Sequence, residues 1–196
     1  MLLGHEGIAT ALTVRLRERG AATARLVERV TGLPENTIVT PEVRDIHPVW
    51  VDVVAKGRYP TWMVMAQDTP LRRTAGTSTI DGDSDEVNFR YPFMIATHVV
   101  GEDEQKVALA RYRLMLVVRV LLLQDRIVAK SDTSKAIIET DDMQEIVGGL
   151  AQNGERYLLE ARNEFHVRST ELVPALEPPL GEAVSIVHAE SLLGDQ

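Results

Sequence analysis

Residues 81–86 (DGDSDE) place four carboxylates within six positions, a density that suggests cation binding. An EF-hand calcium loop requires oxygen ligands at its first, third and fifth positions, glycine at the sixth and glutamate at the twelfth. Asp81, Asp83 and Asp85 supply the first three ligands. However, Glu86 occupies the glycine position and Pro92 occupies the glutamate position. We therefore predict no metal site here and interpret the stretch as a solvated loop.

Residues 82–84 (GDS) match the beginning of a Gly-Asp-Ser-Leu motif, in which the serine is the nucleophile of a hydrolase. That chemistry needs a histidine base and an acid that orients it. The motif also follows an apolar strand, and its histidine comes three residues after an aspartate. Residues 77–81 (TSTID) are mostly polar, and none of the last three histidines has an aspartate at that spacing. We predict no catalytic residues and no enzyme. A small hydrolase or a metal-binding module is the alternative from another functional class.

Composition and charge limit the classes of partner. The chain has 196 residues, is 44% hydrophobic and 26% charged, as in an ordinary globular domain, and carries a net charge of -8. An acidic surface disfavours nucleic acid, so we expect no sequence-specific nucleic-acid partner and favour proteins with basic patches. The absence of cysteine excludes disulfides and thiol catalysis. No glycine-rich nucleotide-binding motif is found, so we expect no cofactor.

The most apolar run, residues 114–123 (LMLVVRVLLL), predicts a buried helix rather than a membrane span. It is shorter than the roughly 20 residues that cross a bilayer, and Arg119 interrupts it. The opening residues lack the basic start and continuous apolar core of a signal peptide. We therefore expect no membrane partner and assembly in a cytoplasm.

Two segments show the periodicity of amphipathic helices. The first covers residues 8–30, ends at Gly32 and carries five arginines that we interpret as a solvated basic face. The second begins in the acidic turn 101–104 and runs to about Asp125. Its predicted core positions are Leu114, Val117, Val118 and Leu121.

Arg111 and Arg119 lie eight residues apart on one side of the second helix. This spacing allows them to point toward a partner. The alternative is that their charged groups reach the rim of a core, as long basic side chains often do.

Two long stretches alternate between apolar and polar residues, which is the period of a β-strand. The first covers residues 87–99 and the second covers residues 157–173. The first exceeds the usual strand of about five or six residues, so we expect it to project beyond the domain body. Its polar face is predicted to carry Glu86, Asn88, Arg90 and His98.

Shorter elements are expected between these stretches. A strand should follow Tyr59 and Pro60, because proline lacks an N–H and suits the start of a strand. Residues 67–86 are rich in Thr, Ser, Gly and Asp and predict a loop. Residues 136–139 predict a short strand, and residues 140–154 predict a turn-rich or weakly helical segment.

Together these elements predict an α+β fold, in which a mixed or antiparallel sheet with long strands packs against two helices. We expect a single domain over residues 1–173, followed by a linker and tail over residues 174–196. The apolar residues 183–193 of that tail are expected either to dock on their own domain or to reach a neighbouring subunit.

The order of these elements resembles that of the tail terminator proteins of long-tailed bacteriophages. The resemblance is carried mainly by residues 91–125 (YPFMIATHVVGEDEQKVALARYRLMLVVRVLLLQD), where an extended strand runs through an acidic turn into an apolar helix with arginines. The strand 157–173 also fits, and the resemblance covers roughly residues 8–173. Another head–tail connector or neck protein of the same particle is the alternative within this class.

The resemblance implies a structural virion protein that assembles in the host cytoplasm into a hexameric ring. Such a ring would cap the tail tube protein and join it to the head-completion or connector protein. A ring needs two different patches that meet head to tail, and opposite charges suit such a contact. The residues predicted for this interface are Asp81, Asp83, Asp85, Arg72, Arg73, Arg90 and Arg111.

Overall fold

The computed structural model describes seven segments of the chain. They are residues 4–49, 51–52, 57–67, 72–80, 84–131, 134–153 and 155–174. Within them, some residues are described by their backbone alone, namely 72–80, 84–87, 150, 153 and 172–174. The predicted linker and tail, from residue 175 onward, therefore lie outside the described residues.

The described residues form two helices and seven strands. The helices are α1 (Gly4–Thr31) and α2 (Glu104–Gln124), with a short 3-10 helix at Val43–Asp45. The strands are β1 (Ile46–His47), β2 (Thr61–Ala66), β3 (Arg72–Ile80), β4 (Ser84–Gly101), β5 (Ile127–Lys130), β6 (Ser134–Asn153) and β7 (Arg156–Pro174). They build one sheet in the order β1-β2-β4-β7-β6-β5, and β3 lies beside the first half of β4. Because the β1–β2 pair is parallel and the other described pairs are antiparallel, the sheet is mixed, and the predicted α+β class is confirmed.

The centre of the sheet is the pair β4 and β7, which are bonded along the whole length of β4. The register runs from Ser84 opposite Pro174 to Gly101 opposite Tyr157. In β7 the odd-numbered residues 159–171 are buried, which is the alternation expected from the sequence. With 18 residues, β4 spans about 60 Å. The prediction of two long strands is therefore confirmed.

Both helices pack on one face of the sheet, which we term the covered face. Its core contains large side chains from the strands, of which Trp62, Phe93 and Phe165 are fully buried. Burial of this apolar surface is the main favourable contribution to folding. The predicted core residues of α2 are confirmed as buried, namely Leu114, Val117, Val118 and Leu121.

The close approach of α1 to the sheet depends on Gly20. A Cβ atom at this position would lie 2.7 Å from the ring of Trp62 on β2, closer than Cβ atoms approach other groups. A larger residue would force the helix and the indole apart. Gly20 therefore permits the contact.

The basic face of α1 differs from the prediction at Arg15, which is 8% exposed. Its guanidinium donates hydrogen bonds to the backbone oxygens of Asp125 and Ile127, and lies 3.6 Å from the Asp125 carboxylate. Burial lowers the pKa of Arg15, and the negative charge of Asp125 opposes that shift. Arg15 thus fastens α1 to the connection between α2 and β5, an arrangement that helical periodicity cannot reveal.

The predicted loop over residues 67–86 is wrong for most of its length. Residues 72–80 form β3, which pairs with β4 in an antiparallel hairpin, and β4 already begins at Ser84. The Thr and Ser residues that suggested a loop are also tolerated in a strand at the edge of a sheet. Pro92, which cannot donate a backbone hydrogen bond, lies where the neighbour of β4 changes from β3 to β2.

The prediction for residues 140–154 is also wrong, because β6 continues from Ser134 to Asn153. Its alternation is broken by two bulges. Between the pairs Glu139–His166 and Gln144–Glu164, β6 advances five residues while β7 advances two. A second irregularity falls between Val147 and Leu150 and contains two glycines. Bulges shift the phase of a strand, and the sequence then loses its period of two.

Candidate functional site

The face of the sheet opposite the helices, which we term the outer face, carries a network of charged side chains around Arg90. The Arg90 guanidinium donates to Glu139 at 2.6 Å and also to Asp142. The Asp142 carboxylate lies 3.8 Å from Nδ1 of His166. Since these residues belong to β4, β6 and β7, the network links three adjacent strands. The charge of Arg90, a predicted interface residue, is therefore largely balanced within its own chain.

Arginines occupy equivalent positions on three adjacent strands. Arg90 lies opposite Arg72 of β3 on one side and opposite Arg168 of β7 on the other. Like charges at directly opposed positions repel. The acidic neighbours of Arg90 offset part of this repulsion. Arg168 is exposed. Arg73 lies opposite Phe89 and therefore occupies a position on the covered face.

One of the three acidic residues of the predicted interface, Asp85, lies near the start of β4. Asp85 belongs to that strand, opposite Thr79 of β3 and Val173 of β7. Asp81 and Asp83 lie outside the described residues. Five residues, about 17 Å of strand, separate Asp85 from Arg90. The described residues therefore do not bring the acidic and basic groups together within one chain.

Arg111, the remaining predicted interface residue, is 6% exposed. It donates to the carbonyl oxygen of Gly148 at 3.3 Å, and its guanidinium lies 4.8 Å from the ring centroid of Tyr112. The carbonyl belongs to the second bulge of β6. Arg119, on the same side of α2, is exposed and lies 3.3 Å from Glu145 of β6. Both arginines thus connect α2 to β6, and we do not assign Arg111 to the interface proposed below.

His98 lies on the polar face of β4, as predicted, but is 3% exposed rather than solvated. Its Nε2 atom lies 3.5 Å from the carboxylate of Glu160, which also accepts a hydrogen bond from Arg162. The hydrogen bond from His98 lowers the pKa of Glu160 to about 2, with a further contribution from Arg162 against the effect of partial burial. The sequence contained one signal for this group: Glu160 and Arg162 share the polar phase of β7.

A second buried polar group lies on the covered face, around Glu171. The Glu171 carboxylate is 1% exposed and accepts hydrogen bonds from Ser169 at 2.8 Å and from Tyr91 at 3.3 Å. Burial and the nearby carboxylate raise the pKa of Tyr91. The Ser169 hydroxyl donates to a carboxylate rather than to a histidine base, so this geometry does not activate it as a nucleophile. The strict alternation of β7 places Glu171 on the covered face, a signal that sequence reasoning missed.

The described residues thus offer charged surfaces rather than a concentrated reactive centre. In the part of the chain that the structure describes, no three histidine, aspartate or glutamate side chains are grouped as metal ligands. Neither of the two described helices combines the length and apolarity needed to cross a membrane. Comparison of the sequence with protein-family models and with curated proteins finds no match.

Proposed function

We propose that this chain is a structural assembly protein of a long-tailed bacteriophage, whose working form is a ring of six subunits. The ring caps the tail tube and presents its other side to the head-completion protein. The order of α1, β2, β4, α2 and β7 supports the proposal, because it agrees with the helices and strands on which the resemblance to tail terminators rests.

The observation that carries the proposal is the hairpin of β3 and the first half of β4. β3 packs chiefly against β4, and within the described residues its outer edge has no partner strand. An unpaired edge is a ready site for a strand or loop of another copy. The hairpin has Arg72 and Arg73 at one end and Asp85 near the other.

This separation of charge suits a head-to-tail contact. In a ring, each subunit contributes one patch to each neighbour, and the two patches differ. Basic residues at one end of the hairpin and acidic residues at the other allow one subunit to present both halves. Charge complementarity of this kind favours the correct partner and orientation.

The proposal is tested by native mass spectrometry of the unmodified chain and of the double variant Asp83→Lys, Asp85→Lys. The unmodified chain is expected to form hexamers, alone or on purified tail tubes. The double variant should need about tenfold more protein to form the same fraction of rings, because charge reversal at a contact costs one to a few kcal/mol. The double variant Glu18→Lys, Glu35→Lys is the control: it makes the same change of charge at two exposed positions away from the hairpin.

Three outcomes would contradict these assignments. A chain that stays monomeric even with purified tail tubes would refute the terminator function. A chain that forms rings but does not bind tail tubes would favour the alternative, another connector or neck protein. If both double variants form rings equally well, the acidic residues are not part of the contact.

A further inference from the structure

The outer face carries a second group of cations beside the network around Arg90. Arg168 of β7, Lys135 of β6 and Lys130 of β5 are all exposed. Lys130 lies directly opposite Lys135, and Arg168 lies opposite Ile137, two residues along β6 from Lys135. Opposed residues share a face of the sheet, as do residues two apart in one strand, so the three cations lie within about 12 Å on the outer face. We term them the basic corner.

The basic corner is unfavourable for an isolated chain. Lys130 and Lys135 place like charges at directly opposed positions, which destabilises a pair of strands. Arg90, one strand away from Arg168, is paired with Glu139 and Asp142. By contrast, in the part of the chain that the structure describes, no ion pair or hydrogen bond involves a side chain of the basic corner. Charge that the fold leaves unbalanced is available to a partner.

Apolar residues beside the basic corner indicate which class of partner it fits. Ile137 and Ile127 lie opposite each other, in line with Arg168 and on the same face. Ile127 is 42% exposed. An apolar centre with a polar rim is typical of contacts between proteins. The net charge of -8 also disfavours a nucleic-acid backbone, so an acidic protein surface is the better fit.

The complementary charge is exposed at the far end of the same sheet. Residues 102–104 follow β4, and residues 155–156 lie at the start of β7. Because Gly101 pairs with Tyr157, the two stretches lie at one end of the sheet. All five residues are exposed, and they comprise four carboxylates and one arginine. We term them the acidic end.

The two patches do not neutralise each other within one chain. Arg90 is level with Arg168, and eleven residues of β4, about 36 Å of strand, separate Arg90 from Gly101. At physiological salt, charges separated by more than about 8 Å are largely screened. Between two copies, however, the acidic end can contact the basic corner directly.

We propose that the acidic end of one copy docks on the basic corner of the next. Since the two patches differ, the contact is head to tail, and its repetition can close a ring. The inference rests on the proposed function in that one respect, and it adds a pair of surfaces separate from the edge of β3. Glu102 and Glu155 supply the charge, because Asp103 caps α2 and lies 3.6 Å from Lys106.

Charge swapping tests this contact by native mass spectrometry and analytical ultracentrifugation. The corner variant combines Lys135→Glu with Arg168→Glu, and the end variant combines Glu102→Lys with Glu155→Lys. Each should raise the concentration of half-maximal association about tenfold, because like charges then meet. In an equimolar mixture each reversed patch meets a reversed partner, so association should recover to within about threefold, with the two variants alternating.

Matched controls reverse the same number of charges elsewhere. Arg25→Glu with Arg29→Glu, two exposed positions on α1, is the control for the corner variant. Glu18→Lys with Glu35→Lys is the control for the end variant. Neither control should change the association by more than about twofold, because these charges are screened from the contact. Thermal unfolding of every variant separates weaker association from loss of the fold.

Three results would overturn the inference. Corner and end variants that associate as readily as the unmodified chain would show that neither patch is in the contact. Folded variants whose mixture does not recover association would show that the patches do not meet. Binding of double-stranded DNA by the unmodified chain, lost in the corner variant, would assign the basic corner to nucleic acid.

This inference and the proposed function can fail separately. Association that follows the charge swap, by a chain that does not bind tail tubes, would support this contact and contradict the terminator function. Rings on tail tubes that do not respond to the charge swap would do the reverse. An unmodified chain that stays monomeric under both conditions would contradict both.

Discussion

The two faces of the sheet are built from the same strands but are stabilised in different ways. On the covered face, Trp62, Phe93 and Phe165 are fully buried against the helices. On the outer face, Arg90 of β4 remains partly exposed and is held by ion pairs with Glu139 and Asp142. Apolar burial contributes about 1.5–3 kcal/mol for a large side chain, whereas an exposed ion pair contributes about 1 kcal/mol or less. We therefore expect the covered face to provide most of the stability and the part of the outer face around Arg90 to remain available for contacts.

The largest effect is expected on the covered face. Leu121→Ala should lower the free energy of unfolding by about 2–5 kcal/mol, because Leu121 is 2% exposed and its removal leaves a cavity between α2 and the sheet. Chemical denaturation measures this loss. Val30→Ala, at a position that is 77% exposed, serves as the matched control and should change stability by no more than about 0.5 kcal/mol. Equal midpoints for Leu121→Ala and the unmodified chain would contradict the assigned core.

An intermediate effect is expected beside His98, which is 3% exposed on the outer face. Glu160→Gln removes the carboxylate that His98 and Arg162 stabilise, and should cost about 2 kcal/mol at neutral pH, less than the full pKa shift implies because solvent screens this half-buried group. Because the pKa of Glu160 is lower in the folded state than in the unfolded state, its contribution is complete above about pH 4.5. It is lost as the pH falls toward about 2.

Denaturation at several pH values checks this dependence. The difference in stability between the unmodified chain and Glu160→Gln should shrink as the pH falls from about 4.5 to about 2. A difference that stays constant across this range would mean that Glu160 titrates as in the unfolded chain.

The smallest effect is expected at the partly exposed network around Arg90. Arg90→Gln should cost about 1 kcal/mol or less, because the side chain is 25% exposed and water screens its ion pairs. A double-mutant cycle with Glu139→Gln should give a coupling energy of about 0.5–1 kcal/mol that decreases in about 1 M salt. A coupling energy as large as the loss from Leu121→Ala would mean that the two faces do not differ as proposed.

Sequence reasoning was most accurate where a strand or helix keeps one uninterrupted phase. β7 alternates without a break, so the side of the sheet that each of its residues faces follows from the sequence, and the buried residues of α2 recur with similar regularity. β6 pairs with β7 along most of its length but was missed beyond Glu139, because its bulges change which residues face the helices. A bulge is stabilised by the neighbouring strand and by contacts such as that of Arg111 with Gly148, neither of which is local in sequence.

The candidate site was predicted less well than the fold, for a related reason. Charge and residue type identified Arg90 and Arg111 but not their surroundings. Arg90 is balanced by residues about 50 positions away in the chain, and Arg111 is buried against a bulge 37 positions away. His98 was assigned to the solvated face because alternation predicts which side of the strand a residue faces. It does not predict whether other residues cover that side.

The sequence by itself determined the α+β class, the two long strands, the two helices and the core of α2, because these depend on local periodicity and on apolar residues that must leave water. The tertiary structure decided the path of β3 and β6, the burial of Arg15, His98 and Arg111, and the charge balance around Arg90. Each of these depends on a partner that is distant in sequence. Electrostatic and hydrogen-bond energies vary with distance and burial, and only the folded chain sets both.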